Sequence, residues 1–186
     1  KTAGREDDCL VPGANLRYRL SGPESAPFVV VFENGWSGSF PYAVWLEQAL
    51  ASKVQVLCYD RAGVGDSQSL GPISAATMTQ QLIALLNHLG LHKPVVIAGH
   101  SYGGLIAALH AAQAPSRVKA IIQIDNTPEF DDPVVDVSWR LMPMATRFLQ
   151  LCALLGWNSP VVGDLGNELP KEIFERIKRT RSWLVK

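Results

Sequence analysis

The sequence predicts an α/β fold: a mostly parallel sheet with flanking helices. Over residues 15–124, apolar runs of strand length alternate with longer stretches of helical period, the pattern of a chain built from β-α-β units. Most of the strand-length runs are continuously apolar, as strands covered on both faces are. No internal repeat or low-complexity tract interrupts the alternation.

Residues 15–20 (Asn-Leu-Arg-Tyr-Arg-Leu) alternate and predict a half-buried strand, turned by Ser21-Gly22-Pro23. Residues 28–32 form a β-branched and aromatic run, hence a fully buried strand. A short helix follows over 41–50 and another buried strand over 54–59. Residues 74–89 carry Leu82, Leu85, Leu86 and Leu89 on one helical stripe, with Gly90 placed as the stop. A strand over 95–98, an Ala-rich apolar helix over 102–114 and a buried strand over 118–124 complete this part. After Pro128 the composition shifts. A helical stretch over 134–155, broken at Pro143, a loop and a second helix over 170–185 are expected there, with no strand signal. The expected division is therefore 1–128, part of a sheet-based core, and 129–186, a helical appendage.

The bulk properties exclude several classes. Lys+Arg and Asp+Glu both number 17, so no net charge argues for nucleic acid or an acidic membrane as partner. No apolar run approaches the ~18 residues of a membrane span. Cys9, Cys58 and Cys152 are too few and too widely spaced for a disulfide framework or a zinc site. They read as buried thiols, with the cytoplasm as default compartment. No signal peptide is visible after Lys1, which is itself not a Met, and sequence upstream is expected.

The strongest chemical signal is Gly99-His100-Ser101-Tyr102-Gly103, which follows a predicted strand and opens a predicted helix. That context is what a nucleophile elbow requires. So tight a turn needs small neighbours, which Gly99 and Gly103 are; Gly104 would let the helix pack closely on the sheet. The serine hydroxyl is then held at a helix N-terminus, where backbone N–H groups favour negative charge. An acyl-transfer site also needs two donors for the oxyanion. One is the N–H of the residue after the nucleophile, Tyr102. The other comes from the loop after an earlier strand, Glu33-Asn34-Gly35-Trp36, with the Trp36 N–H as candidate. The run Asp60 to Ser67 (Asp-Arg-Ala-Gly-Val-Gly-Asp-Ser) lacks the Gly-Lys-Ser/Thr ending of a phosphate loop. It reads as a structural turn, held by Asp60 and Arg61 through a salt bridge or backbone bonds.

Together these three runs resemble the α/β-hydrolase family, specifically its esterase-like and lactonase-like members with a helical cap. The family commonly has His-Gly where Asn34-Gly35 stands; the oxyanion donor there is a backbone group, so the change need not remove it. The run 60–67 is similar to the loop after the family's fourth strand, and 117–125 to its sixth strand. The resemblance covers about residues 10–128. It implies that 129–186 is the cap. A serine at position 101, where haloalkane dehalogenases and epoxide hydrolases of this fold carry aspartate, implies cleavage of an ester, thioester, lactone or amide.

The triad order in this fold is Ser, Asp or Glu, then His, yet no His follows His110. His110 lies ~13 Å along the helix from Ser101. His88 and His92 are separated from it by a strand of ~15 Å. His100 is expected to pack or bond within the turn. None of the four reads as a general base. Asp125, at the end of the 118–124 strand, is a candidate acid, against a reading as a loop cap with Asn126 and Thr127. Asp131, Asp132 and Asp136 lack His or Cys companions and read as solvated rather than metal-binding. The basic residues of the last helix read as a solvated face. Trp139, Met142, Met144, Phe148 and Trp157 either line an acyl pocket or pack between helices.

The expectation is a first piece of a longer serine hydrolase with Ser101 as nucleophile and a small-molecule acyl substrate. It needs no cofactor or metal, its His and acid lie beyond Lys186, and the piece alone is inert. The competing readings are a non-catalytic member that binds a ligand or partner, and an acyltransferase or cofactor-free peroxidase on the same scaffold.

Overall fold

A computed structural model describes residues 4–125 of the chain. Its elements are β1 (Arg5–Val11), β2 (Ala14–Ser21), β3 (Val29–Glu33), α1 (Val44–Leu50), β4 (Gln55–Tyr59), β5 (Gln68–Ser69), α2 (Ala75–His88), β6 (Val95–His100), α3 (Tyr102–Gln113) and β7 (Val118–Ile124). A 3-10 turn, Phe40–Ala43, precedes α1. The chain divides into two units, Lys1–Thr127 and Pro128–Lys186. The helices expected over 134–155 and 170–185, Asp131, Asp132, Asp136, Cys152 and the aromatic and Met residues named above all lie outside the described residues.

The sheet runs β1-β2-β4-β3-β6-β7, with β5 pairing briefly to β2. β4, β3, β6 and β7 are mutually parallel, while β2 pairs antiparallel with β1 and β4. Side-chain alternation divides the core between the two faces. Val29 and Val31 of β3 join Leu57, Ile97 and the α2 stripe Leu82, Leu85 and Leu86. Val30 and Phe32 join Val56, Cys58, Ala98 and Leu46 of α1 on the other face. Cys9 and Cys58 are buried thiols, as expected. Burial pushes the Cys58 thiol up to about 12, so it is no nucleophile.

The helix boundaries follow local chemistry. Ser74 caps α2: its hydroxyl accepts from the Thr77 N–H at 3.1 Å, and the Thr77 hydroxyl accepts from the Ser74 N–H at 2.9 Å, a reciprocal capping box. Gly90, at φ +66°, ends the helix in the left-handed conformation.

Two strands depart from expectation. β1 carries Arg5, Glu6, Asp7 and Asp8, and no periodicity announced it. It is an edge strand stitched to β2 by charge pairs: Arg17 to Glu6 at 3.1 Å and to Asp8 at 3.4 Å, and Arg19 to Glu6 at 3.7 Å. Only Cys9 and Val11 turn inward. β7 occupies its expected residues but is not buried on both faces. Among the described residues it pairs only with β6, at the sheet edge, and Ile122 is half exposed.

His110 of α3 is fully buried, and neither ring nitrogen has a hydrogen-bond partner among the described residues. Burial, and secondarily the Arg117 charge, lowers its pKa to about 4. The folded state therefore keeps the ring neutral at a pH where the unfolded chain, near 6.5, takes up a proton. The contribution is intact above pH 6.5 and is lost as pH falls towards 4. Between pH 7 and pH 5 the protein should lose about 2 kcal/mol through this group alone. Urea unfolding midpoints at the two pH values check this: His110→Leu should flatten the difference, and an unchanged difference would refute it.

Candidate active site

The parallel strands end at one edge of the sheet, and two of their loops meet there. β3 connects to a neighbour on one side and β6 lies on its other side. Ligand sites in open α/β sheets form beyond the strand C-termini at such a switch point. Glu33 to Trp36 leave β3, and Ser101 and Tyr102 leave β6.

Ser101 has φ 52° and ψ −122°, a conformation that a residue with a Cβ rarely adopts. It stands at the N-cap of α3, but its side chain makes no capping bond. Its backbone is held instead. The Ser101 N–H donates to the Ile124 carbonyl at 3.1 Å, and its own carbonyl accepts from the Gly104 N–H at 2.9 Å. Ser101 lines a cavity of about 490 Å³ together with Phe32, Asn34, Trp36, Tyr42, Trp45 and His100.

The glycines make this turn possible by close approach. A Cβ on Gly99 would lie 2.5 Å from the Gly103 carbonyl oxygen. One on Gly103 would lie 2.1 Å from the Glu33 carbonyl oxygen and 2.5 Å from that of Asn34. One on Gly35 would lie 3.6 Å from Cβ of Ser101. The first turn of α3 is thus pressed against the loop leaving β3. Trp36 and Tyr102 meet across the gap as an edge-on ring pair, 4.8 Å between centroids and 72° between planes. Ser101, Trp36 and Tyr102 are brought together.

His100 differs from expectation. It is exposed and lines the same cavity, with Nδ1 facing Gly35, rather than packing within the turn. His100 is the last residue of β6, at the strand end where the cavity opens. No hydrogen bond joins it to Ser101 among the described residues. His110 is buried in α3, and His88 and His92 are exposed. Asp125 follows β7 at φ 46° and is exposed; it does not line the cavity.

The run 60–67 is a structural turn, but its two leading residues act differently from one another. Asp60 holds backbone: it accepts from the Phe40 N–H at 2.6 Å and the Asp66 N–H at 3.0 Å. Arg61 does not bond Asp60. It reaches across to Glu33 at 3.2 Å and to the carbonyls of Asn34, Gly35 and Trp36. Tyr59 donates to the other Glu33 oxygen. Burial raises the Glu33 carboxyl above its ordinary range, while Arg61 and the Tyr59 hydroxyl oppose the shift. Sequence reading missed this Glu33–Tyr59–Arg61 cluster. A signal was present: a charged residue ends each of two apolar strand runs, Glu33 and Asp60-Arg61.

Among the described residues no group of His, Cys, Asp and Glu could hold a metal ion, and no helix is long and apolar enough to cross a membrane.

Comparison with known proteins agrees with this architecture. A family model described as the alpha/beta hydrolase fold matches residues 29–156, and the chain belongs to that family. It is 34% identical over 130 residues to the sn-1-specific diacylglycerol lipase ABHD11 of Mus musculus, covering 69% of this chain and 42% of that protein. It is 28% identical over 120 residues to the proline iminopeptidase PfmaB of Pestalotiopsis fici, covering 63% and 43%. The crystal structure of an alpha/beta hydrolase from Novosphingobium aromaticivorans superposes with a TM-score of 0.58 at 28% identity, covering 66% of this chain and 44% of that one. The chain therefore spans less than half the length of each.

Proposed function

We propose that the protein is a serine hydrolase that cleaves a carboxylic ester or related acyl bond through an acyl-enzyme, with Ser101 as nucleophile. The observation that carries this reading is Ser101 itself. It is held in a strained conformation, its side chain is withheld from helix capping, and the residue lines a cavity. Backbone strain of this kind persists where the surrounding structure demands it, most often at functional sites. That the named relatives are a lipase and a peptidase supports an acyl substrate.

In this reading the Ser101 oxygen attacks the carbonyl carbon. The N–H groups of Trp36 and Tyr102 hold the resulting oxyanion. The alcohol leaves with a proton, and water releases the acid and restores the serine. A histidine base and a carboxylic acid are required, and the reading takes both from outside the described residues. Residues 129–186 are assigned to a helical cap. The cavity lining supports a neutral, apolar acyl group: Phe32, Trp36, Tyr42, Trp45 and Ile124 contribute to it, and among the described residues no carboxylate, lysine or arginine does.

The full-length protein should hydrolyse p-nitrophenyl esters and form a covalent adduct with a fluorophosphonate at Ser101. Ser101→Ala should lose at least about a thousandfold in kcat and form no adduct. Equal hydrolysis by the two would overturn the nucleophile assignment. Ligand binding with neither hydrolysis nor labelling would favour a non-catalytic member of the fold.

A further inference from the structure

Arg61 is 3% exposed, and its guanidinium serves the loop after β3 more than any carboxylate. Nη1 donates to the Asn34 carbonyl at 2.6 Å and to Glu33 Oε2 at 3.2 Å. Nη2 donates to the Gly35 carbonyl and, at 3.1 Å, to the Trp36 carbonyl. The two terminal nitrogens carry four hydrogens, and all four are spent. A guanidinium placed simply to neutralise Glu33 would take the bidentate geometry that arginine and carboxylate share. Here Glu33 receives one bond, and three successive peptide carbonyls receive the rest. The same guanidinium lies over the Tyr102 ring, 5.6 Å from its centroid.

The peptide unit is planar and trans, so its C=O and N–H point in opposite directions. Drawing the Gly35 carbonyl towards Arg61 turns the Trp36 N–H away from Arg61. Drawing the Asn34 carbonyl does the same to the Gly35 N–H. We propose that Arg61 is the positioning residue of the oxyanion loop: by gripping three consecutive carbonyls from the buried side, it fixes the direction of the Trp36 N–H relative to Ser101. The proposal rests on the reading of Ser101 as nucleophile and of Trp36 as oxyanion donor. Arg61 touches no reacting atom.

Arg61→Lys tests it in the full-length protein. Lysine keeps the charge beside Glu33 but lacks the planar fork that spans the carbonyls. The expected result is a fall in kcat of about a hundredfold, the scale of losing one oxyanion donor, with KM changed less than about twofold, since uniform binding is untouched. An alkyl trifluoromethyl ketone, which forms a tetrahedral adduct with a serine, should bind weaker by the same factor. The matching methyl ketone should bind as before. If Arg61→Lys fails to fold, the double variant Glu33→Gln/Arg61→Gln removes both buried charges together and should show the same kcat loss.

A folded variant with kcat within threefold of the parent overturns the proposal. So does a loss carried by KM alone. Ser101→Ala is assayed in parallel. Activity surviving there overturns the nucleophile reading, whereas an inert Ser101→Ala beside an undiminished Arg61→Lys overturns only the role of Arg61.

Discussion

Gly103→Ala should destabilise the protein by about 3 kcal/mol, the upper end of what overpacking costs. On helix propensity alone the change should help, because alanine is favoured over glycine inside a helix by about 1 kcal/mol. Sterics decide against it. The new methyl would sit 2.1 Å from the Glu33 carbonyl oxygen and 2.5 Å from that of Asn34. Neither oxygen belongs to a side chain that can swing aside. Glu33 ends a central strand paired on both sides, and the Asn34 carbonyl is held by Arg61. Either α3 must lift from the sheet edge or the loop after β3 must retreat. Each movement also separates Tyr102 from Trp36, so activity should fall with stability. Gly90→Ala is the contrast. Nothing lies within 4 Å of its added methyl, and its cost is only that of a positive φ, about 1–2 kcal/mol. Urea midpoints of the two variants decide the matter: a Gly103→Ala shift no larger than that of Gly90→Ala would show that the close approach is not real.

These two glycines also show what a sequence can and cannot convey. Both were legible, Gly90 as a helix stop and Gly103 as the small neighbour of a tight turn, because each need is local. The parallel strands were legible for a similar reason. The runs 28–32, 54–59 and 95–98 are largely apolar and too short for helices, and they emerge, with ends shifted by one or two residues, as β3, β4 and β6. β1 was not legible. Its Glu6 and Asp8 are compensated across the strand pair by Arg17 and Arg19 of β2, and that compensation is visible only once the strands are side by side. The burial of β7 was overestimated because apolar content reports what a residue tolerates, whereas exposure depends on what covers it. Arg61 was read as holding its own turn, and its reach to the loop after β3 was the largest omission. Its partners lie 25 to 28 residues away along the chain, and they are mostly backbone carbonyls, which carry no residue identity.

Ser101→Gly should yield a protein that is inert yet more stable than the parent. Losing the hydroxyl removes the proposed nucleophile, so the kcat loss should match that of Ser101→Ala, at least about a thousandfold. The stabilities of the two variants should differ. Ser101→Ala keeps a Cβ at φ 52°, and so keeps the strain. It also loses no helix cap, because the Ser101 side chain caps nothing; a serine that did cap would cost ~1 kcal/mol on truncation. Ser101→Ala should therefore unfold close to the parent. Ser101→Gly releases a conformational cost on the order of 1–3 kcal/mol and gives back about 0.5–1 kcal/mol through the greater freedom of the unfolded chain. The net gain should be about 1 kcal/mol, read as a higher urea midpoint at an unchanged denaturant slope. If the glycine variant is no more stable than the alanine variant, the turn is not strained, and the main support for Ser101 as nucleophile falls with it. If it is more stable, the protein carries at this one position a cost to folding that glycine would remove. A serine retained there at the expense of stability is what a site that needs the hydroxyl demands.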